Sequence, residues 1–387
     1  MTPGMTDNPT NGPLSHVRVL DLSRAQPGAY CTGVLADLGA DVLRVEPLGT
    51  GDTTRMIPGA MAAYHRGKRA MTLDLKHDDA PAILRRLITQ VDVVVESGLP
   101  GGLTAQGIDH ATLAADQPGL VWCTISGFGE GSPYAKRPAH DITFLGYSGL
   151  MGLMAGDTVP PTPDFVLAVP FGSLIAVVGI LAALTERDRT GVGAFVDTSI
   201  VDSATWVLGE AVARVASGQP AGWGEAASRR AYRAADGRLV TLAAAEPRTW
   251  AAFCAAVDRP DLAGALADPP GGQAGLADEL AALFATKPAA EWEAQLADAG
   301  AAVGPVRTIE ELLDDPHVAA RGAVVELDDD HHTRVLRTPV RLRDQHGAER
   351  PLHLGPPPAL SQHTDTALAD AGFTADEIAG LHDRGAV

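Results

Sequence analysis

A histidine stands directly beside a carboxylate at His140–Asp141, a few residues after the glycine-rich stretch Ser126–Gly129. An imidazole gains and loses a proton near neutral pH, so histidine is the side chain used most often for general acid–base catalysis. The pair lies between a predicted strand and a predicted helix, in a loop where functional residues are common. His140–Asp141 is therefore a candidate for proton transfer, although Asp141 could instead cap the following helix.

Two other segments contain residues that could bind a ligand, but neither segment identifies a function. Tyr64–Arg69 contains four basic side chains just before a predicted strand, which favours either an anion-binding patch or a solvated turn. The backbone of Ser126–Gly129 could approach a phosphate or a thioester, or form a plain turn.

The elements that must position these residues follow an alternating order. Val17–Leu22 has the pattern of a strand, a helical run follows from Pro27 to Leu38, and Asp41–Val45 is a second apolar strand. This β-α-β unit predicts a parallel sheet covered by helices. The same order continues with strands at Ala70–Leu75, Val91–Glu96, Leu120–Ser126 and Ala194–Thr198, and with helices at Ala80–Gln90, Phe144–Met154, Leu174–Leu184 and a long one ending at Val215.

The composition changes near Ser217–Pro220, which we interpret as a linker. Beyond it, Asp236–Gly237 predicts a hairpin turn, and Thr374 with Glu377 predicts a capping box at the start of a late helix. Helices are also predicted at Arg248–Val257, Leu276–Ala285 and Ala289–Ala299.

Charge excludes several classes of partner. The chain has 387 residues, with 30 Lys and Arg against 48 Asp and Glu, so its formal net charge is −18. Such a chain is not expected to bind nucleic acid or to carry a polybasic membrane anchor, since both need a basic face. The total leaves room for a local basic pocket that binds an anionic cofactor.

Neither a membrane span nor a secretory signal is predicted. Phe165–Leu184 is uncharged for 20 residues, but Pro170, Gly172 and Ser173 interrupt it, which favours a buried core helix. The first 15 residues have no apolar run and are expected to be a flexible lead-in. Cysteines at only three scattered positions predict neither disulfides nor a metal site, so a cytoplasmic location is expected.

Motif tests remove several enzyme classes. The sequence contains no H-E-x-x-H, C-x-x-C, G-x-x-x-x-G-K-[ST] or G-x-S-x-G segment. The first β-α-β unit also lacks G-x-G-x-x-G, so neither a metal nor a nicotinamide cofactor is expected.

Taken in order, several segments resemble the family III CoA transferases, the CaiB/BaiF family, which includes the α-methylacyl-CoA racemases. The similar segments read VRVLDLSRAQPGAYCTGVLADLGADVLRVEPLGTGD, HRGKRAMTLDLK, VDVVVES, ISGFGEGSPYAKRPAHDITF, VGILAALTERDRTGVGAFVDTSIVD, ELLDDPHVAARG and LADAGFTADEIAGLHDRGAV. The resemblance implies an α/β fold with a Rossmann-like, CoA-binding large domain (residues 16–217), a smaller α+β domain (222–321) and a C-terminal return to the large domain (330–387). It also implies an interlocked dimer.

The resemblance implies a binding site for coenzyme A, carried as an acyl-CoA substrate. The family has a basic residue soon after the loop that corresponds to Gly98–Pro100, where this chain reads Leu103–Gln106. Arg137 or Lys136 would then supply the missing phosphate contact. The implied CoA-binding residues are Gln26, Leu73, Lys76, Gly98, Pro100 and Arg137.

Local motifs favour the racemase branch. Ala139–Ile142 resembles the racemase G-H-D-I segment with His140 as the base, and Ala245–Pro247 resembles the segment whose glutamate, here Glu246, contacts that histidine. The family aspartate should follow about thirty residues after His140, but residues 166–173 contain no carboxylate and the nearest is Asp164.

Three hypotheses follow. The first is α-proton transfer on a 2-substituted acyl-CoA, either racemisation or epimerisation or another enolate reaction such as elimination or decarboxylation. Its catalytic residues would be His140, Asp141 and Glu246, with backbone amides of the glycine-rich loop stabilising the enolate. The second is transfer of CoA between carboxylic acids. The third is a non-catalytic CoA-binding subunit paired with a related chain, in place of a homodimer.

Overall fold

A computed structural model describes residues 12–104, 107–155, 159–160, 162–222, 224, 226–267, 273–349 and 354–387. The described residues form two compact units. The larger runs up to Gly209 and resumes over Gly322–Val387, and the smaller is Glu210–Arg321. The first boundary therefore lies at Gly209–Glu210, whereas the sequence placed a linker at Ser217–Pro220.

The larger unit is built on a six-stranded, fully parallel sheet in the order β3-β2-β1-β4-β5-β6. This is the doubly wound order, in which the chain winds outward in one direction from β1 and in the other from β4. The predicted α/β fold is confirmed. The strands are β1 (Arg18–Asp21), β2 (Asp41–Glu46), β3 (Arg69–Thr72), β4 (Val93–Ser97), β5 (Val121–Ser126) and β6 (Phe195–Ser199).

Helices connect the strands and cover the sheet. Most begin within a few residues of the predicted start, but two predictions were wrong. The single helix at Phe144–Met154 is two helices, because Gly149 adopts a left-handed conformation with φ +89° and ends the first of them. The long helix ending at Val215 is also two. The helices of the larger unit are α1 (Ala25–Asp37), α2 (Ala60–Tyr64), α3 (Ala80–Ile88), α4 (His110–Asp116), α5 (Asp141–Ser148), α6 (Leu150–Ala155), α7 (Ala168–Thr190) and α8 (Ile200–Trp206). The next helix, α9 (Gly209–Ala216), lies almost wholly in the smaller unit.

Helix α7 is longer than the predicted Leu174–Leu184. Pro170 lies in its first turn, where a missing amide hydrogen removes no helical hydrogen bond. Among the described helices, α7 alone has the length and apolar composition to cross a membrane, and half of its most apolar stretch is buried within the chain. A core helix of a soluble protein meets the same criteria.

The smaller unit pairs a three-stranded antiparallel sheet with helices. Its first two strands form the hairpin predicted at Asp236–Gly237, with Gly237 at φ +80°. Trp250, Phe253, Phe284 and Trp292 fill its core. The elements are β7 (Arg229–Arg233), β8 (Leu239–Ala243), β9 (Val303–Pro305), α10 (Pro247–Ala256), α11 (Ala274–Phe284), α12 (Ala289–Leu296), α13 (Ile309–Leu313) and α14 (Pro316–Ala320).

The C-terminal segment packs against the sheet of the larger unit. It contains β10 (Val324–Glu326), β11 (Arg334–Leu336), α15 (Thr364–Asp370) and α16 (Ala375–Asp383). The capping box predicted for Thr374 and Glu377 is present at the start of α16. The Thr364 hydroxyl accepts a hydrogen bond from the Thr72 amide at 3.1 Å, which fixes the segment to β3.

Both faces of the parallel sheet are buried, as its near-continuous apolar strands require. On one face, Val19, Val93 and Val95 pack with α1, α5 and α7. On the other, Leu20 and Val94 pack with α3, α15 and α16. The only open part of such a sheet is its edge, where the loops leave the strands.

Candidate functional site

The carboxyl ends of β1 and β4 lie side by side at the centre of the sheet, since these strands are paired and the chain winds away from them in opposite directions. A crevice at this switch point is where doubly wound proteins bind ligands. Ser97 joins the two loops that border it. Its hydroxyl donates to the Arg24 carbonyl at 2.9 Å and accepts from the Arg24 amide at 3.0 Å.

The loop from β1 to α1 is held in an unusual conformation. Ala25 has φ +55°, a left-handed geometry that is strained for any residue with a side chain. Its amide donates to the Asp52 carboxylate at 3.0 Å. A Cβ on Gly28 would lie only 1.8 Å from the Ser23 hydroxyl oxygen, so only glycine lets the loop turn this tightly. Gln26, which the resemblance assigns to CoA, is half-buried in the first turn of α1, directly after this loop.

A cluster of fully buried charges lies under the loop. Asp21 contacts the Arg44 guanidinium at 3.2 Å and the Lys68 ammonium at 3.6 Å. Arg44 also contacts Asp52 at 3.0 Å. The two ring nitrogens of His65 form hydrogen bonds with the Lys68 ammonium at 3.2 Å and the Thr54 hydroxyl at 3.0 Å. The strained loop is thus anchored from beneath through Asp52.

The same surroundings shift the pKa values of this cluster. Burial alone would raise the pKa of Asp21, but the charges of Arg44 and Lys68 and two hydroxyl hydrogen bonds outweigh burial and lower it. Burial lowers the pKa of Lys68 to about 8, although Asp21 opposes the shift. Burial and the charges of Lys68, Arg44 and Arg55 lower the pKa of His65 far below its ordinary range, so His65 is neutral. Much of the basic segment Tyr64–Arg69 is therefore an internal support, and not the surface patch or solvated turn that the sequence allowed.

The remaining CoA-binding candidates of the resemblance border the same edge of the sheet. Leu73 is 1% exposed, so a ligand could meet only its backbone, whereas Lys76 is exposed. Gly98 is exposed with φ +128°, and Pro100 is half-buried beside it. Arg24, which is not among those candidates, is also exposed on the switch-point loop. It is a cation three residues after the end of β1.

Arg137 is held in place by aromatic rings. Its guanidinium lies 3.9 Å above the ring of Tyr134 and donates to the Tyr147 hydroxyl at 2.8 Å. Phe128 packs edge-on against both tyrosines. Lys136 is exposed beside it. A cation fixed in this way can meet a phosphate without ordering a long side chain.

His140 is exposed and lies at the N-cap of α5, where no side chain caps the helix. The amides of Thr143 and Phe144 donate to the His140 carbonyl, which leaves the amides of Asp141 and Ile142 as the donors next to the imidazole. The glycine-rich loop is less suited to that purpose than the sequence suggested. Its Gly129 amide binds the Ser126 hydroxyl, and the adjacent Glu130 amide binds the Asp197 carboxylate.

Asp141 has a structural contact that neither sequence interpretation anticipated. Its two carboxylate oxygens accept hydrogen bonds from the amides of Leu167 and Val169, both at 2.8 Å. Asp141 thus accepts hydrogen bonds from amides at the start of α7, and not from amides at the start of its own helix. This fixes α5, and with it His140, against α7.

The start of α7 offers no carboxylate of its own within the described stretch 162–185 except Asp164, which is exposed and precedes the helix. Ser173, in the second turn, donates to the Pro27 carbonyl at 2.7 Å and ties α7 to α1. In the smaller unit, Glu246 is exposed at the N-cap of α10 and makes no capping hydrogen bond.

A doubly wound sheet with an anchored loop at its switch point defines an α/β protein of the class in which ligands bind at the carboxyl edge of the sheet. The sequence profile of CoA-transferase family III matches residues 14–364, and the chain belongs to this family. It is an enzyme of the family III CoA-transferase and α-methylacyl-CoA racemase type.

The proteins to which it is similar are named for two different reactions. The chain is 32% identical over 388 residues to the α-methylacyl-CoA racemase of Mus musculus, covering 95% of this chain and 96% of that one. It is 30% identical over 397 residues to the succinyl-CoA:mesaconate CoA-transferase of Haloarcula marismortui, covering 93% and 97%. A crystal structure of a CaiB/BaiF family protein from Brucella suis superposes with a TM-score of 0.81 at 30% identity, covering 93% of this chain and all of that one.

Proposed function

We propose that the protein catalyses α-proton transfer on a 2-substituted acyl-CoA, with His140 as the base. The observation that carries this proposal is the exposed imidazole at the uncapped start of α5, next to a helix α7 whose first turns have no carboxylate. A thioester acidifies the α-carbon, so one imidazole is sufficient to remove its proton. A transferase, by contrast, needs a nucleophilic carboxylate to form its acyl-enzyme.

The geometry supports a sequence of roles. The loops that carry Gln26 and Gly98 would hold the CoA moiety at the switch point, with Lys76 and Arg137 meeting its phosphates. His140 would take the α-proton, and the amides of Asp141 and Ile142 would stabilise the enolate oxygen. Asp141 would act by holding α5 against α7, and a catalytic role for Glu246 rests on the resemblance alone.

Solvent deuterium exchange tests the proposal. Purified protein is incubated in deuterium oxide with each enantiomer of 2-methylacyl-CoA and of 2-arylpropionyl-CoA. Deuterium entry at the α-carbon together with racemisation supports the proposal, and no exchange with any substrate contradicts it.

A CoA transferase is the second candidate, and its support is the similarity to the succinyl-CoA:mesaconate enzyme. Hydroxylamine trapping of an acyl-enzyme on a carboxylate would favour it. A third candidate is a non-catalytic CoA-binding subunit, supported by the missing carboxylate. Co-purification with a related chain that carries the aspartate would favour that role, and turnover by this chain alone would contradict it.

Arg137→Ala is expected to weaken CoA binding roughly 10- to 100-fold, the effect of losing about 1.5–3 kcal/mol in one charged hydrogen bond. The CoA affinity of Arg137→Lys should lie between those of the wild type and Arg137→Ala, because lysine keeps the charge but loses the fixed guanidinium. Isothermal titration with CoA measures both. Arg189→Ala, which removes an exposed cation at the end of α7, is the control. Equal affinity in all variants would remove Arg137 from the site.

We also propose that the protein is a homodimer acting in the cytoplasm. Helix α7 leaves Leu174, Ile175 and Val178 exposed at 52%, 38% and 61%, an apolar stripe that a second copy would cover. Trp206, at the end of α8, is 74% exposed. The three cysteines are free and buried, which is compatible with a reducing compartment.

Val178→Asp is expected to reduce the dimer to monomer in light scattering coupled to size exclusion, because it would place a carboxylate in an apolar interface. Val192→Asp is the matched control. It introduces the same charge at a valine that is 57% exposed but lies beyond the end of α7. A wild-type monomer, or an unchanged dimer in Val178→Asp, would overturn the assignment of this face.

A further inference from the structure

Two tyrosines form a polar pair beside the start of α7. Tyr30 lies in the second turn of α1, and Tyr64 ends α2. Their ring centroids are 4.4 Å apart, and the Tyr64 hydroxyl donates to the Tyr30 hydroxyl at 3.2 Å. Both side chains are half-buried. Tyr64 thus holds the Tyr30 hydroxyl in a defined position.

Helix α1 brings Tyr30 to the part of α7 where a carboxylate is missing. The Ser173 hydroxyl binds the Pro27 carbonyl, so the second turn of α7 meets the first turn of α1. Tyr30, Leu167 and Phe171 border the same core cluster. Asp141, whose carboxylate binds the first amides of α7, is close enough to act on Tyr30 electrostatically.

We infer that Tyr30 is the second acid–base residue of the active site and that Tyr64 positions it. This inference rests on the proposed α-proton transfer. In this inference the Tyr30 phenol transfers the second proton, a step for which the start of α7 offers no carboxylate. His140 and Tyr30 belong to different helices, α5 and α1, and both helices are fixed to the start of α7. The reacting α-carbon would lie between the imidazole and the phenol.

The protonation state of Tyr30 suits this role. Burial, then the contact with the Tyr64 hydroxyl and last the nearby charge of Asp141 raise the pKa of Tyr30 well above its ordinary value, so the phenol is fully protonated at neutral pH. It begins as a proton donor, and the His140 imidazole begins as the proton acceptor. Once ionised, a phenolate of high pKa is a strong base and can take the α-proton of the opposite enantiomer.

The proposed step balances. The α-carbon–hydrogen bond of one enantiomer breaks, and its proton goes to His140 while the electron pair forms the enolate. The Tyr30 oxygen–hydrogen bond then breaks, and that proton bonds to the other face of the α-carbon. The imidazolium returns its proton through solvent to the phenolate. No electron is gained or lost.

The test compares deuterium entry and inversion in Tyr30→Phe, using each enantiomer of 2-methylacyl-CoA. Inversion should fall by at least about 10²-fold, the usual effect of one acid–base group. Deuterium entry should persist in the enantiomer whose proton His140 removes and be lost from the other. His140→Ala should show the reciprocal pattern. Tyr232→Phe, which removes a buried tyrosine hydroxyl in the smaller unit, is the control and should change neither rate.

Two failures can be told apart. If the wild type neither exchanges nor inverts any substrate, the proposed function is wrong and this inference falls with it. If the wild type is active and Tyr30→Phe inverts at the wild-type rate, only the role of Tyr30 is wrong. Circular dichroism and CoA binding check that the variant is folded.

Tyr64→Phe provides an independent measurement. It removes the hydrogen bond to Tyr30 but leaves the phenol in place. We expect it to move the alkaline limb of the pH profile for inversion while the profile for deuterium entry through His140 stays unchanged. If neither limb moves, Tyr64 has only a packing role and the assigned pair is overturned.

Discussion

His140→Ala is expected to lower racemisation of a 2-substituted acyl-CoA by about 10²–10⁴-fold, the contribution of a positioned general base. Deuterium entry should disappear from the enantiomer whose α-proton the imidazole removes. The physical reason is local. His140 is the exposed N-cap of α5, and Asp141 holds that helix by accepting two amide hydrogen bonds at the start of α7. Removing the imidazole leaves this framework in place.

The measurement separates chemistry from binding. CoA affinity and the unfolding transition of His140→Ala should stay close to the wild type, because the imidazole is exposed. His331→Ala, at another exposed histidine of the larger unit, controls for the loss of a surface imidazole. Unchanged racemisation and exchange in His140→Ala would contradict the proposed function.

The second large effect concerns stability. Asp21→Asn is expected to lower the free energy of unfolding by about 3–5 kcal/mol near pH 6, the usual result of breaking one partner of a buried ion pair. Arg44 and Lys68 would then face each other without their shared counter-charge. Since domains are stable by only about 5–15 kcal/mol, the loss should be evident in urea unfolding.

The pH dependence of the stability loss in Asp21→Asn identifies its cause. Asp21 raises the pKa of Lys68, which burial lowers to about 8. Without Asp21 that pKa falls further, so Lys68 is neutral at pH 9 and the unpaired charge is reduced. The destabilisation by Asp21→Asn should therefore be smaller at pH 9 than at pH 6. Adding Lys68→Met to Asp21→Asn should recover part of the stability at pH 6.

Acid should affect the wild type and Asp21→Asn differently. The pKa of Asp21 is lowered in the folded state, because the effects of Arg44 and Lys68 exceed that of burial. Its stabilising contribution is therefore present above the ordinary carboxyl pKa of about 3.9 and is lost as the pH falls through the lower, folded-state value. Asp21→Asn should lack this part of the acid dependence. An identical pH profile of stability in both proteins would show that the Asp21 ion pair is not the source of the acid dependence.

Several elements could be predicted from local pattern alone. Val19 and Leu20 are both apolar because they face opposite buried sides of a parallel sheet, and this continuous pattern is visible in one sequence. The capping box of Thr374 depends on residues three apart. The turn at Gly237 depends on one residue that accepts a positive φ. Each signal is local, so the sequence carries it completely.

Other predictions were wrong where a local signal was weak. Gly149 was read as part of one helix, since an isolated glycine does not always end a helix, but here it adopts the left-handed conformation. The basic segment at Tyr64–Arg69 gave no sign that His65 and Lys68 are buried, because that depends on strands that follow and precede it.

The sequence by itself determined the fold class, the family and the position of His140, because each is encoded by neighbouring residues or by the order of segments along the chain. Only the tertiary structure decided what surrounds these residues. Asp141 binds amides at Leu167 and Val169, and Tyr30 meets Tyr64, across 26 to 34 residues of intervening chain. Side-chain geometry at such separations is set by how α1, α5 and α7 pack, and no local pattern records it.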